Sequence, residues 1–321
     1  MQHRDPHPTA PSRGPREDPR WEPPAPHAGL PASGGNGRGV VHVVAVAHGT
    51  DSPEGRGMID GLRAGVEDRL RQALAGSAVR VRVHEAYVDV QQPRLGDVLA
   101  ALPAGETAVV LPMLVCDGVH TVHDIADAVV QRPSTGALPP IAAGAAALRL
   151  ARGLAALVPA ALVPAALVPA APETGPAASG SPPTPGSPPT PDSPATLGWS
   201  PAPEQPAVVL AVAGTRRPEG RAQALRLAEL VSAVLGSRVE AAFCSAAEPR
   251  IGDVVKRHRD EGREVAVLSV LLGEGFFQER LRATGAQYVS PPLLSPEASS
   301  AAMLTECLVE TVLEGLRTDR S

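Results

Sequence analysis

The stretch Pro93-Arg94-Leu95-Gly96-Asp97-Val98 returns as Pro249-Arg250-Ile251-Gly252-Asp253-Val254, and Pro53-Glu54-Gly55-Arg56 returns as Pro218-Glu219-Gly220-Arg221. Chance readily produces one such match. Two in the same order, each inside a matching run of apolar segments, mark a tandem duplication. Whatever the first copy folds into, the second must fold into as well.

The apolar pattern says what that is. Residues 43–47 form a continuous apolar run that ends on a histidine and a glycine, as suits a central parallel strand, expected over 40–47 and covered on both faces. After a loop over 48–56, residues 58–75 place Ile59, Leu62, Val66, Leu70 and Leu74 on one helical face. A strand over 79–88 follows, then a helix from Pro93 to about 102, a strand over 108–115 and a helix over 121–131. A short strand over 140–143 and a helix over 145–157 complete the copy. The same alternation restarts at 207, with strands over 207–212, 238–244, 264–272 and 288–290. Helices there are expected around 222–235, 249–259, 277–284 and 297–316. Strands alternating with helices predict parallel sheets joined by right-handed crossovers. The expected fold is therefore α/β: two similar flavodoxin-like domains, each a four-stranded parallel sheet flanked by helices.

Between and before these blocks the composition changes. Residues 1–39 are rich in Pro, Arg and Gly and lack the apolar surface that would offset ordering, so they read as a disordered tail. Residues 156–170 repeat Ala-Leu-Val-Pro-Ala three times, and 172–206 are dominated by Pro, Ser, Thr, Gly and Ala. Together, residues 158–206 read as a semi-extended linker between a first domain over 40–157 and a second over 207–317. The formal net charge of -5 gives no basic footprint for nucleic acid. Three widely spaced cysteines, Cys116, Cys244 and Cys307, form no disulfide framework. No apolar run reaches the roughly 20 residues of a membrane span, and no signal-peptide core stands at the N-terminus. These features predict a cytoplasmic protein. With both halves in one chain, it is expected to act as a monomer.

The copies differ in their polar residues. His48, in Ala47-His48-Gly49-Thr50, faces Ala213-Gly214-Thr215 in the second copy. Asp117-Gly118-Val119-His120 becomes Glu274-Gly275-Phe276-Phe277, and Asp89 becomes Ser245. Scaffold residues are kept twice and candidate chemistry once, as in a duplicated active domain whose second copy has decayed. If the strand order is 2-1-3-4, His48 and His120 meet at the switch point where α/β sheets bind ligands, and Asp89 ends the neighbouring strand. Two imidazoles suit borderline divalent ions such as Fe, Co and Ni and leave coordination positions open. A histidine at such a turn can equally move a proton, or simply complete the turn.

Ala47-His48-Gly49-Thr50, Tyr87-Val88-Asp89 and Gly118-Val119-His120-Thr121-Val122-His123-Asp124-Ile125 resemble the class II chelatases of the sirohydrochlorin/CbiX type. That family shows Ala-His-Gly-Ser, an aromatic-Leu-Glu segment, and Gly-Gly-His-Val followed by Asp-Ile. The resemblance implies a lyase that inserts Fe2+ or Co2+ into a sirohydrochlorin-type tetrapyrrole, on the way to sirohaem or cobalamin. The metal is then a substrate, and no organic cofactor is implied. It also implies two α/β halves facing each other across a cleft. His48 and His120 match the family's metal-binding, catalytic histidines. Asp89 matches an acidic position that is more usually Glu, and Val119 replaces the second glycine. A carboxylate-rich substrate calls for cations, for which Arg56, Arg94, Arg216, Arg217 and Arg221 are candidates. The alternative class is a metal- or tetrapyrrole-binding protein without turnover. Cys116 and His123 are weaker candidates, expected to fill a small buried space and the surface respectively; His42, His84 and His258 are expected to be structural.

Overall fold

The computed structural model describes residues 39–159, 162, 206–296 and 300–318. The expected tail, and nearly all of the expected linker, lie outside the described residues.

Each copy builds a four-stranded, all-parallel sheet. In the first, β1 (Val40–Ala47), β2 (Arg80–Tyr87), β3 (Thr107–Pro112) and β4 (Thr135–Ala137) lie in the order β2-β1-β3-β4. In the second, β5 (Ala207–Val212), β6 (Val239–Phe243), β7 (Val265–Ser269) and β8 (Tyr288–Val289) repeat it as β6-β5-β7-β8. The register agrees too, since Ala47 pairs with Tyr87 and Val212 with Phe243 at the carboxyl ends. The expected strand order and the duplication are both present.

Several boundaries differ from the sequence reading, each for a local reason. Helix α1 (Pro53–Ala73) starts five residues before Met58, because Ser52 caps it by accepting from the Gly55 amide at 3.2 Å and Pro53 is preset for a first turn. The expected strand over 140–143 is a 3-10 turn (Ile141–Ala143). Pro139 and Pro140 have no amide to give a ladder, so β4 forms earlier, at Thr135–Ala137. Pro93 does not open a helix; α2 runs Leu95–Ala101, after a cis Gln92-Pro93 bond that recurs as Glu248-Pro249. Helix α3 (Val119–Val130) begins two residues early, which places His120 in its first turn rather than in a loop.

The remaining helices are α4 (Ala147–Ala155), α5 (Pro218–Leu235), α6 (Ile251–Asp260), α7 (Phe276–Arg282) and α8 (Ser300–Thr318). Alternate residues of β1 show how the layers stack. Val44 and Val46 face an outer core with Leu95 and Leu99 of α2 and Ile125 and Ala128 of α3. Val43, Ala45 and Ala47 face an inner core that also contains Leu150 and Leu154 of α4, Leu227 and Val231 of α5, and Leu304 and Leu308 of α8. One apolar layer of helices is thus shared by both sheets. Val158 and Leu162 are buried against that same core. With aromatics at 2% of the chain, the interior is packed with Val, Leu and Ala. Between the halves, Arg69 pairs with Glu306 at 2.6 Å and Arg149 with Glu310 at 2.7 Å.

At the amino ends of the first sheet, buried His42 links three strands. Its Nδ1 lies 2.7 Å from Nε2 of His84 on β2, and its Nε2 bonds the Glu106 carboxylate just before β3. Burial holds His84 below the ordinary 6.5 of a histidine; His42 and Arg82 push the same way and Glu67 opposes them. The unfolded chain therefore binds a proton near 6.5 where the fold resists it, so stability rises with pH through the interval just below 6.5. Lowering the pH from about 7.5 to about 5.5 should reduce the melting temperature, and less so in His84→Gln. An equal loss in the variant would contradict this role for His84.

Candidate metal-handling site

The site is built where β1 stops. A buried strand delivers His48 to its carboxyl end, and Gly49 turns the chain sharply at φ 96°. A side chain at position 49 would be strained, and its Cβ would come within 3.0 Å of the Gln91 amide nitrogen. The turn is held by the Thr50 amide, which donates to the Gln91 side chain at 2.8 Å, and by Arg56 Nε, which donates to the Thr50 carbonyl at 3.0 Å. His48 is left half exposed. Asp89, just past β2, has a carboxylate oxygen 4.0 Å from His48 Nε2 and another 3.9 Å from Arg94 Nη1. Arg94 also donates to the Val88 carbonyl at 2.9 Å.

His120 follows β3, the strand beside β1, so the backbone places it at the same switch point. Its side chain lies outside the described residues, as do those of Val119, Thr121 and Val122. Among the described residues no group of three or more His, Cys, Asp or Glu side chains forms a closed metal cluster. Burial, with Asp117 beside it, pushes the Cys116 thiol up to about 12, so it stays protonated. Half-buried His123 and exposed Asp124 lie farther along α3.

The two halves meet at two junctions related by the duplication, and the junctions are not alike. At one, the loop before His120 is clamped on α5. The Asp117 amide donates to Gln223 Oε1 at 2.8 Å, and Gln223 Nε2 donates back to the Asp117 carboxylate at 2.5 Å. Gly220 lies so close that a Cβ there would sit 2.3 Å from the Asp117 carbonyl oxygen. Burial raises the Asp117 pKa above the usual carboxylate range, with the Gln223 bond and Arg217 opposing and Glu219 reinforcing.

At the other junction Met58 stands where Gln223 stands in the copy, and the atoms nearest a Cβ at Gly55 would be those of Thr50 and Ser52. A cleft of about 420 Å³ opens there, lined by His48, Thr50, Met58 and Ile59 from the first half and by residues 271–278 from the second. Phe276 is 67% exposed, with Phe277 beside it and the Arg280 guanidinium 5.5 Å from its ring centre. A chain with three phenylalanines keeps two of them here, at the positions of Val119 and His120.

The expected arginines divide. Arg56 and Arg94 stand beside the His48 turn. Arg216, Arg217 and Arg221 line a different concavity on the second half and share no wall with the cleft. The Asp117–Gln223 clamp and the aromatic cleft wall were not picked out from the sequence. Glutamine at 223 against Met58, and the paired phenylalanines, are the signals that mark them.

A family model described as CbiX matches residues 42–157 and 207–290. Among solved structures, SirB from Bacillus subtilis with Fe3+ has a TM-score of 0.55 at 16% identity, over 86% of this chain and 95% of that one. CbiX, titled the terminal enzyme for biosynthesis of siroheme in denitrifying bacteria, is 19% identical over 84% of this chain and 98% of that one, with a TM-score of 0.45. No curated protein sequence matches. The likeness to SirB is one of fold.

Proposed function

The chain belongs to the CbiX family of class II chelatases, and on that premise we propose that it inserts Fe2+ or Co2+ into a carboxylate-rich, sirohydrochlorin-type tetrapyrrole. The observation that carries this reading is His48, a half-exposed imidazole on the inter-half cleft at the carboxyl end of the central strand, which the second copy replaces with Ala213.

In this reading His48 and His120 hold the incoming metal through neutral imidazole nitrogens, and the macrocycle's ring nitrogens displace its waters. Two pyrrole protons must leave as the dication enters. Histidine is suited to accept them near neutral pH. Asp89 faces His48 from 4.0 Å. Arg56 and Arg94 stand where carboxylates on the macrocycle's edge would arrive. Two imidazoles accept several divalent ions, so the reading names Fe2+ and Co2+ together. Among the described residues no helix is long and apolar enough to cross a membrane. The reading places the reaction in the cytoplasm, on a single chain.

The cleft's apolar and aromatic lining fits the flat face of a macrocycle, with Phe276 as the exposed shelf. Phe276→Ala is expected to raise the KM for the tetrapyrrole roughly 3–10-fold and leave the KM for metal unchanged. An unchanged tetrapyrrole KM would remove Phe276 from the site. The activity itself is tested by mixing the protein anaerobically with sirohydrochlorin and Fe2+ or Co2+ and following the absorption spectrum. Metallated product should form faster than in the uncatalysed reaction; a spectral change that stops at binding would instead favour a carrier without turnover.

A further inference from the structure

The second half has its own concavity, about 700 Å³, at the carboxyl end of its sheet between the β5–α5 turn and the β6–α6 loop. The turn that leads into the helix is alike in both copies, while the β6–α6 loop departs from its counterpart by placing Ala246 at φ 58°. Thr50 Oγ1 accepts from the Ser52 amide at 3.2 Å, and Thr215 Oγ1 from the Arg217 amide at 3.1 Å. The Arg56 amide donates to the Ser52 carbonyl at 3.0 Å, and that of Arg221 to the Arg217 carbonyl at 3.1 Å.

Around this shared turn most charge changes run in one direction. Asp51, Ser52 and Asp89 give way to Arg216, Arg217 and Ser245; Gln92 to Glu248 is the one exchange the other way. Val90 and Gln91 give way to Ala246 and Ala247. Gln91 fills the first turn by accepting from the Thr50 amide, and a methyl group has no means to do so. The second copy is therefore hollower and far more positive than the first. Arg217 pairs with Glu219 at 3.3 Å and Arg250 with Glu248 at 2.9 Å. Arg216 and Arg221 form no ion pair among the described residues.

We infer that this basin is an anion site, separate from the metal-handling cleft, and that it takes a small polyvalent oxyanion, a polycarboxylate or a phosphate. Four arginines line a concavity large enough for such a molecule, with Arg216 and Arg221 outside any ion pair among the described residues, and planar guanidinium forks match carboxylate and phosphate oxygens. Loss of the histidine and of two carboxylates has removed what would favour a cation there. In this account the second copy did not merely decay. It exchanged a cation-handling site for an anion-handling one on the same turn.

Titration of the full chain with tricarballylate and with pyrophosphate, metal-free and at low salt, tests this. Wild type should bind a single anion per chain, and Arg216→Asp with Arg217→Ser should weaken that binding about tenfold or more. The double variant restores the pair the first copy carries at this turn, where Ser52 caps α1; because Arg217 also pairs with Glu219, Arg216→Asp alone is measured beside it and should weaken binding in the same direction. The tighter of the two probes distinguishes carboxylate from phosphate. Displacement of the probe by the metal-free tetrapyrrole would make macrocycle carboxylates the source of the anion; retention would make it a free one. No binding by wild type, or undiminished binding by the variant, overturns the inference. The readout is independent of metal insertion and stands or falls apart from the chelatase reading.

Discussion

His48→Ala should lower kcat/KM for metal insertion by roughly 10²–10⁴-fold, the range lost when a positioned proton acceptor is removed. The loss should be the larger because the same imidazole is proposed to hold the metal. Little structural cost accompanies it. His48 is half exposed, its nearest carboxylate stands at 4.0 Å, and the second copy makes the same turn with alanine. The melting temperature should therefore stay close to that of wild type while activity collapses. His48→Gln keeps a polar side chain but cannot accept a pyrrole proton, and should remain inactive. Initial rates with Fe2+ and with Co2+, read beside thermal melting, check both halves of the expectation. A variant with wild-type rates would return His48 to being a turn residue.

Gly220→Ala should damage stability and activity together, from a position in the half that lacks counterparts of His48 and His120. A methyl group there would meet the Asp117 carbonyl oxygen at 2.3 Å, and the obstacle is backbone. Either α5 retreats or the loop before His120 moves, and both break the reciprocal Asp117–Gln223 bonds. Overpacking of this kind costs about 1–3 kcal/mol, which for a chain of this size lowers the melting temperature by roughly 2–12 °C. A displacement of about 1 Å at a reacting group can cost on the order of 10²-fold in rate, so activity should fall well beyond the loss of folded protein. Gly61→Ala is the matched control, because nothing lies within 4 Å of a Cβ at that helical position. It should keep full activity and melt slightly higher. If Gly220→Ala behaves like Gly61→Ala, the junction does not position the loop.

The contrast between these substitutions marks what was legible in the sequence. The run of residues 43–47 gave a buried central strand because parallel strands are apolar on both faces, and His48 stood out because an apolar run ends on it. The repeated Pro-Arg-Leu/Ile-Gly-Asp-Val segment by itself marks the second domain as a copy of the first. Boundaries governed by capping were less readable. Pro53 looked like part of a loop until Ser52 was seen to cap the helix it starts, and the two prolines at 139 and 140 hid the fourth strand a few residues upstream. The junctions were not legible at all. Whether Gln223 clamps Asp117, or Met58 leaves a cleft, depends on how two copies of one fold pack face to face. A linear pattern does not encode that. Charge was partly readable: Arg216 and Arg217 were visible as cations, but the sequence grouped them with Arg56 and Arg94 at one site. The structure separates them, because each copy carries its own switch point.

The central claim, that this chain turns over metal and tetrapyrrole at the centre in its first half, is tested most directly by counting product. With sirohydrochlorin and Co2+ both in large excess, wild type should form many metallated macrocycles per chain, and the His48→Ala/His120→Ala double variant none above the uncatalysed rate. Product that stops at one equivalent per chain in wild type, or that continues undiminished in the double variant, would contradict it.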